Sequence, residues 1–201
     1  MLCRMSGRLG RELISGEQLD VELSHMPFEK VTEVMVRLMM TGKTGALFRY
    51  TTECGTALGL NTVADERVSA MGRYGNLIGL SFQLQDDLLG IYGTEAKLGK
   101  PIGSDIREGK RTLLAVRTLN GLSGAKRERF LQLYGCNHEV SADDILEVRS
   151  LMEESGAKEQ VIKSATKLTY DAEELLMGVT PPSPQQKLLS QLTLSMLKRQ
   201  A

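Results

Sequence analysis

The segment from Phe82 to Thr112 constrains what this chain can fold into more than any other part of the sequence. It begins as the end of an apolar helix, presents the adjacent carboxylates Asp86 and Asp87, and then enters a glycine-rich stretch that carries Lys100, Asp105, Arg107, Lys110 and Arg111. Mg²⁺ typically takes one or two carboxylates and completes its octahedron with phosphate oxygens and water. Lysines can then meet the remaining phosphate charge as compact point charges. The segment therefore predicts a helix that ends at a magnesium site shared with a diphosphate.

Each half of this pattern has a simpler explanation when it stands alone. An Asp-Asp pair is usually a solvated helix end, and a stretch rich in lysine and arginine is usually a hydrated loop. The order and the spacing of all the pieces together favour the metal site over these alternatives.

The composition describes a single globular domain rather than a nucleic-acid-binding or membrane protein. The 201 residues are 41% hydrophobic, which predicts one domain over residues 1–201. Lys+Arg and Asp+Glu both number 25, so there is no basic excess for a nucleic-acid partner. No apolar run reaches the length of a transmembrane helix and no signal peptide is recognisable, so the expected location is cytoplasmic. The widely spaced Cys3, Cys54 and Cys136 are predicted to be buried thiols in a reducing compartment.

The rest of the chain is patterned as helices. Apolar residues recur at three- and four-residue spacing and no strand alternation persists, so the predicted fold class is all-α. Residues 1–15 are expected to form the end of one helix, and Pro27 is expected to begin the next. The later helices are predicted at 47–60, 64–89, 111–119, 125–134, 142–155, 157–177 and 185–198. Residues 90–110 are predicted to be a long functional loop.

The Phe82–Thr112 segment resembles the second aspartate-rich region of the trans-isoprenyl diphosphate synthases, the polyprenyl synthetase family. The family form is F-Q-x-x-D-D-x-x-D, then a loop with G-K, then a segment like G-x-D-[IL]-x-x-G-K-x-T. The matching residues are Phe82, Gln83, Asp86, Asp87, Gly99, Lys100, Gly103, Asp105, Ile106, Gly109, Lys110 and Thr112. One position departs from the form, because Gly90 stands where the family has its third aspartate, four residues after Asp86.

This resemblance implies both a fold and a reaction. The fold would be a helical bundle of the isoprenoid-synthase type, and the reaction a Mg²⁺-dependent condensation of isopentenyl diphosphate with an allylic diphosphate. The implied metal ligands are Asp86 and Asp87. The residues implied to be catalytic are Lys43, Thr44, Gln83 and Lys100, and the same four together with Lys110 are implied to bind substrate.

Two upstream stretches also resemble family motifs. Lys43-Thr44 matches the family's K-T motif, and with the second aspartate-rich region present we predict that Lys43 contacts the diphosphate of the allylic substrate. The alternative for Lys43 is a surface lysine on an amphipathic helix. The GEQLD stretch resembles G-Q-x-x-D, with Glu17 at the usual glutamine position. Its Asp20 is predicted either to support the metal site from behind the ligands or to be a polar residue on the helix surface.

The family's first aspartate-rich region has no counterpart here, because Asp20 is the only aspartate before Lys43. We therefore expect the N-terminal helices of the bundle to be missing, so that the chain corresponds to the C-terminal portion of a synthase. Two functions follow: a prenyltransferase, or a non-catalytic partner subunit that modulates a complete synthase. A homodimer or a hetero-oligomer with a synthase chain is expected in either case, through an apolar face of the 64–89 helix.

Overall fold

The computed structural model describes residues 2–93, 103–135 and 140–198. Its helices are α1 (Leu2–His25), α2 (Glu33–Met40), α3 (Ala46–Leu60), α4 (Glu66–Tyr92), α5 (Ser104–Arg107), α6 (Leu113–Gly121), α7 (Gly124–Leu133), α8 (Ala142–Glu154), α9 (Ala157–Val179) and α10 (Pro184–Ser195). Short 3₁₀ turns lie at Phe28–Lys30 and Met196–Lys198, and a π-helical turn at Thr41–Gly45 joins α2 to α3. No strand occurs in these ranges, which confirms the all-α prediction. Within the same ranges, none of the helices is both long and apolar enough to cross a bilayer.

Several boundaries differ from the sequence prediction. Helix α1 continues to His25 because packing outweighs the roughly 1 kcal/mol that each internal glycine costs a helix. Pro27 leads into a 3₁₀ turn, so α2 begins only at Glu33. The predicted 90–110 loop is wrong at both ends, since α4 runs to Tyr92 and α5 occupies Ser104–Arg107. Residues 94–102 lie outside the described ranges.

The described residues divide into two compact units. Unit 1 comprises residues 2–19, 38–83 and 164–198, and unit 2 comprises residues 20–37, 84–93, 103–135 and 140–163. The single domain expected over residues 1–201 stays a prediction.

Unit 1 is built around α4 and α9. Its core consists of Met71, Tyr74, Ile78, Ala172 and Leu176. The Tyr74 hydroxyl forms a 2.8 Å hydrogen bond with Thr193 Oγ1, and Ser81 Oγ donates to the Ala165 carbonyl at 3.0 Å. These paired polar groups let the helices bury their hydroxyls without an unmet hydrogen bond.

Unit 2 has an aromatic centre. The ring of Phe28 lies 6.1 Å from that of Phe130 and 5.7 Å from that of Tyr134, centroid to centroid. The Arg111 guanidinium lies 4.3 Å from the Phe28 centroid and donates to the carbonyls of Gly109 and Met26. Arg111 is thereby tied to the scaffold of this unit, as a cation stacked on an aromatic face.

The exposure of side chains bears on two further predictions, one about α4 and one about the cysteines. No large apolar side chain of α4 is fully exposed, but those of Leu77, Leu80 and Leu88 are partly exposed, so association through this helix stays a prediction. Cys54 is buried as predicted, but Cys3 is exposed on α1. Cys136 lies outside the described residues.

Candidate functional site

Lys43 and Thr44 lie in the π-helical turn Thr41–Gly45, which we call the lysine turn. The turn interrupts the helical path between α2 and α3 and carries the sequence TGKTG. A π-helical turn of this kind is often found at functional sites because it redirects side chains that a regular helix would align with their neighbours. The structure thus gives Lys43 an unusual backbone setting rather than an ordinary surface position on a regular helix.

The lysine turn packs directly against the backbone of α1. A Cβ atom added to Gly16 would lie 2.5 Å from the Gly42 carbonyl carbon and 2.9 Å from its Cα, closer than real Cβ atoms approach backbone. Only glycine fits at such a contact. This approach brings Glu17 beside Lys43, and Glu17 Oε2 lies 2.9 Å from Lys43 Nζ.

Two further ion pairs continue the contact between α1 and α3. Arg49 pairs with Glu12, and Arg8 pairs with Glu53. Glu53 is almost fully buried, whereas Arg8 is partly exposed. Burial and the nearby Arg8 lower the pKa of Arg49, although Glu53 opposes this. The pairs fix the register of α1 along α3 and hence the position of Glu17 at the lysine turn.

Thr44 is held by a residue of the aspartate-rich segment. Its Oγ1 donates to Gln83 Oε1 at 2.6 Å. The helices meet closely here because a Cβ on Gly79 would lie 3.0 Å from Gly45 Cα and 3.2 Å from Phe48 Cβ. Sequence reasoning singled out both Thr44 and Gln83, and the structure brings them together in unit 1.

In unit 2, a lysine lies between two buried carboxylates. Lys110 Nζ is 3.7 Å from Asp87 Oδ1 and 3.8 Å from Asp105 Oδ2. The Asp87 side chain is only 3% exposed, and that of Asp105 only 12%. We call Asp87, Asp105 and Lys110 the acidic cluster.

Electrostatics favour the charged form of Lys110 in this cluster. Burial alone would lower the pKa of Lys110, but the carboxylates of Asp87, Asp105, Asp20 and Asp86 outweigh it, so the pKa is raised. Four carboxylates thus share the field of one ammonium group. The sequence offered two roles for Asp20, support of the metal site or a polar residue on the helix surface. In the structure, Asp20 is one of the carboxylates that raise the pKa of Lys110.

The backbone around Lys110 is fixed by glycines and by an aromatic hydroxyl. Gly109 adopts φ +61° and Gly135 adopts φ +73°, and their Cα atoms approach so closely that neither position admits a side chain. Tyr134 Oη donates to the Lys110 carbonyl at 2.8 Å. Burial raises the pKa of Tyr134, and the charge of Asp105 adds to this effect. Tyr134 therefore remains a neutral hydrogen-bond donor that anchors the lysine.

The carboxylates present suit a magnesium site that is completed by phosphate and water, rather than a site in which protein side chains supply every ligand. The described ranges hold no group of three or more His, Cys, Asp or Glu side chains arranged for a metal ion. Mg²⁺ needs only one or two carboxylates when phosphate oxygens and water complete its shell. Asp86 and the buried Asp87, adjacent on α4, meet that requirement, so the residues present fit the ion.

Sequence reasoning did not predict two of the ion pairs at these sites, those made by Asp105 and by Glu17. Asp105 was one matching motif residue among several, yet it pairs with Lys110, and its place five residues before Lys110 in the same motif was the signal that could have found it. Glu17 was noted only as standing at a glutamine position, yet it contacts Lys43. Lys100, predicted to be catalytic and to bind substrate, lies outside the described residues.

Comparisons with known proteins agree on one family. The model of the family described as Polyprenyl synthetase matches residues 2–152. The geranylgeranyl diphosphate synthase of Saccharolobus solfataricus is 41% identical over 140 residues, which cover 67% of this chain and 39% of that protein. The short chain isoprenyl diphosphate synthase of Methanocaldococcus jannaschii is 36% identical over 146 residues, covering 72% of this chain and 42% of the relative. The chain thus spans less than half the length of these curated relatives.

Solved structures show the same fold. The geranylgeranyl pyrophosphate synthetase of Pyrococcus horikoshii superposes with a TM-score of 0.86 at 28% identity, covering 99% of this chain and 58% of that one. The geranylgeranyl pyrophosphate synthase of Corynebacterium glutamicum, solved with isoprenyl diphosphate and magnesium, gives a TM-score of 0.83 at 29% identity and covers 99% of this chain and 56% of that one. The predicted isoprenoid-synthase type of helical bundle is confirmed.

Proposed function

The chain belongs to the polyprenyl synthetase family, and on that premise we propose that it acts in the Mg²⁺-dependent condensation of isopentenyl diphosphate with an allylic diphosphate. It would contribute groups that bind the allylic diphosphate and assist departure of inorganic diphosphate. The observation that carries this proposal is the acidic cluster, in which a buried aspartate of the second aspartate-rich region is paired with the lysine of the G-K-x-T motif.

The acidic cluster supports a role in binding a metal-complexed diphosphate. Asp86 and Asp87 would hold Mg²⁺, which when bound supplies Lewis-acid stabilisation of the charge on the leaving diphosphate. Lys110 is kept protonated by its carboxylate neighbours, so it can meet phosphate oxygens as a full positive charge. Asp105 and Asp20 would hold Lys110 in place through their charges.

The lysine turn supports a role in holding the diphosphate headgroup. Lys43 would bind phosphate oxygens through its ammonium group. Thr44 and Gln83, which hydrogen-bond to each other, would orient the turn and offer polar groups to the substrate. Lys100 is proposed for the same purpose on the strength of the motif alone.

Partners and location remain part of the proposal. We propose isopentenyl diphosphate and an allylic diphosphate as substrates, and a homodimer or a hetero-oligomer with a prenyl synthase chain as the assembly, which sedimentation of the purified chain would measure. The cytoplasmic location stays a prediction. No observation on the described residues favours the non-catalytic partner subunit over the transferase.

Binding of an allylic diphosphate tests the proposal directly. Isothermal titration of the purified chain with geranyl diphosphate should show binding that depends on Mg²⁺. Asp86→Asn should weaken this binding on the order of tenfold or more, because it removes a metal ligand but preserves the size of the side chain. Asp171→Asn is the matched control, since Asp171 pairs with Lys167 on the exposed surface of α9. Binding that neither needs Mg²⁺ nor responds to Asp86→Asn would overturn the proposal.

An elongation assay separates the two functional classes. Purified chain is incubated with labelled isopentenyl diphosphate and allylic diphosphates, alone and with a complete synthase of the family. In one mixture the synthase carries an inactivating substitution. If that mixture forms product, and the product is lost when this chain carries Asp86→Asn, the chain has the transferase role. An effect on an intact synthase that is unchanged by Asp86→Asn would instead assign the modulating role.

A further inference from the structure

The contact between Glu17 and Lys43 places a negative charge at the lysine turn. Glu17 Oε2 lies 2.9 Å from Lys43 Nζ, and the sequence has this glutamate where the family form has an uncharged glutamine. The lysine that we propose as a diphosphate contact therefore already has an anionic neighbour. Any phosphate oxygen that approaches the ammonium group also approaches the carboxylate.

The fold limits how far this carboxylate can move away. Gly16 and Gly42 touch through their backbones, so the residue that follows Gly16 starts beside the turn. The pairing of Glu12 with Arg49 fixes α1 about 1.4 helical turns before Glu17. The Glu17 side chain can change rotamer, but its Cα stays beside the lysine turn.

The ion pair itself adds little to the stability of the fold. The Lys43 side chain is 30% exposed and that of Glu17 is 52% exposed, and exposed pairs of this kind contribute little to stability. The negative charge nevertheless acts on any incoming anion, and its repulsion grows with the net charge of the ligand. A free diphosphate is more negative than a diphosphate complexed to a divalent cation, so the carboxylate disfavours the free form more strongly.

We propose that Glu17 is a specificity-determining residue that makes the lysine turn select metal-complexed diphosphate over free diphosphate. The inference rests on the proposed function, because it requires Lys43 to bind the diphosphate group. Glu17 thereby couples use of the lysine to the presence of the metal ion, and it reduces occupancy of the turn by free inorganic diphosphate or other uncomplexed polyanions.

Titration of the full chain with inorganic diphosphate tests this inference. Dissociation constants are measured with Mg²⁺ and with a chelator, for the wild type and for Glu17→Gln. The substitution keeps the side-chain size and removes only the charge. We expect Glu17→Gln to tighten binding of free diphosphate about tenfold, because it removes the repulsion of a carboxylate that lies beside the ammonium group. The Mg²⁺ complex should gain less, about threefold or below, because its net charge is smaller.

A set of matched variants assigns the effect to the contact. Glu22→Gln removes an acidic charge from an exposed position of the same helix and leaves the pair of Glu12 with Arg49 intact, so it should not reproduce the gain. Lys43→Gln should weaken both forms of the ligand, and Glu17→Gln should give no gain in its background. The gain should also shrink at high ionic strength, because salt screens partly exposed charges. Circular dichroism melting of each variant verifies that it folds.

Each result either supports or overturns the inference. If Glu17→Gln binds free diphosphate as weakly as the wild type does, or more weakly, this inference is overturned while the proposed role of Lys43 stands. Weaker binding would show that Glu17 positions Lys43 rather than opposing the ligand. An equal gain for free and complexed diphosphate overturns it as well. Absence of diphosphate binding in every protein, or full binding by Lys43→Gln, overturns the proposed role of Lys43 and this inference with it.

Discussion

The carboxylate of Asp105 lies beside the Cα of Gly90, in the space that a side chain at position 90 would enter. A Cβ added to Gly90 would lie 3.1 Å from Asp105 Cγ and nearer still to Oδ2. Position 90 is where the family form has its third aspartate, and in this chain the carboxylate of Asp105, from α5, lies beside that position. Asp105 keeps that carboxylate next to Lys110, which also contacts Asp87.

We predict that Gly90→Asp destabilises the protein in the absence of metal. The new carboxylate would have to displace Asp105 and would add a like charge where several carboxylates already share one lysine. The expected loss in free energy of unfolding is roughly 1–3 kcal/mol, typical of overpacking and of a poorly compensated buried charge. Urea denaturation of wild type and variant measures it.

Gly90→Ala is the control that separates space from charge. Its methyl group meets the same Asp105 side chain but carries no charge, and alanine favours a helix over glycine by about 1 kcal/mol. If Gly90→Asp and Gly90→Ala are equally stable, charge plays no part here. A rise in melting temperature with Mg²⁺ and diphosphate that is larger for Gly90→Asp than for wild type would show that the added carboxylate can still reach the metal.

A second prediction concerns the close approach of α1 and the lysine turn. Gly16→Ala should lower the free energy of unfolding by roughly 2–3 kcal/mol, because its methyl group would collide with the Gly42 backbone, which cannot rotate away as a side chain can. Gly10→Ala in the same helix is the matched control. Nothing lies within 4 Å of a Cβ at Gly10, so this change should stabilise the protein by about 0.5–1 kcal/mol. Similar effects of both changes would contradict the contact.

A third prediction concerns the hydrogen bond between Thr44 and Gln83. Thr44→Val preserves the shape of the side chain but removes the donor, and it should cost about 1 kcal/mol of stability. Thr51→Val in α3 is the control, because Thr51 is exposed and bonds only to the Phe48 carbonyl of its own helix. In a double-mutant cycle with Gln83→Leu, Thr44→Val should show a coupling of about 0.5–1 kcal/mol. Additive losses would mean that the two side chains do not interact in solution.

Local sequence patterns predicted most of the helices. The features that they did not predict, such as the end of α1 and the pairing of the site residues, depend on contacts between residues far apart in the chain. Ser141 and Asp144 form a capping box, and α8 begins at Ala142 as predicted. The sequence predicted that the first helix ends near residue 15, but α1 continues to His25 past Gly16, whose contact with Gly42 a local pattern cannot reveal. The motif residues of the site were found by resemblance. The pairing of Asp105 with Lys110 and of Glu17 with Lys43 required the fold.

A fourth prediction uses the buried hydroxyl of Tyr92 at the end of α4. Burial raises the pKa of Tyr92 strongly, the charge of Glu153 adds to this, and Arg149 partly opposes it. Because the folded state holds the neutral phenol, the associated stability is present below the unfolded pKa of about 10 and is lost as pH rises towards the higher folded pKa. Tyr92→Phe should therefore lose less stability than wild type above pH of about 10, as measured by urea denaturation across that range.

At neutral pH the same substitution should be harmless. The Tyr92 hydroxyl is buried and has no hydrogen-bond partner among the described residues, so its removal should change stability by less than about 1 kcal/mol, in the stabilising direction. The ring keeps its place under Lys158, whose Nζ lies 3.9 Å from the Tyr92 centroid. A marked loss of stability at neutral pH would show that the hydroxyl does have a partner in solution.

The last prediction concerns Lys110 as the cation that the acidic cluster depends on. Lys110→Met keeps the length of the side chain but leaves Asp87 and Asp105 close together without the ammonium between them. Removing one partner of a largely buried ion pair costs about 3–5 kcal/mol, and the partial exposure of Lys110 places the expected loss at about 2–3 kcal/mol. Lys126→Met, which breaks the exposed pair with Glu154, should change stability by less than about 0.5 kcal/mol.

The response of Lys110→Met to magnesium shows what the cluster is built to hold. With the lysine removed, a divalent cation can offset the same carboxylates, and a ligand that binds only the folded state stabilises it by mass action. Mg²⁺ should therefore raise the melting temperature of Lys110→Met more than that of wild type, whereas Lys126→Met should respond as wild type does. If Lys110→Met is as stable as wild type and gains nothing from Mg²⁺, then Asp87 and Asp105 need no cation, and the acidic cluster is not the metal-binding part of this protein.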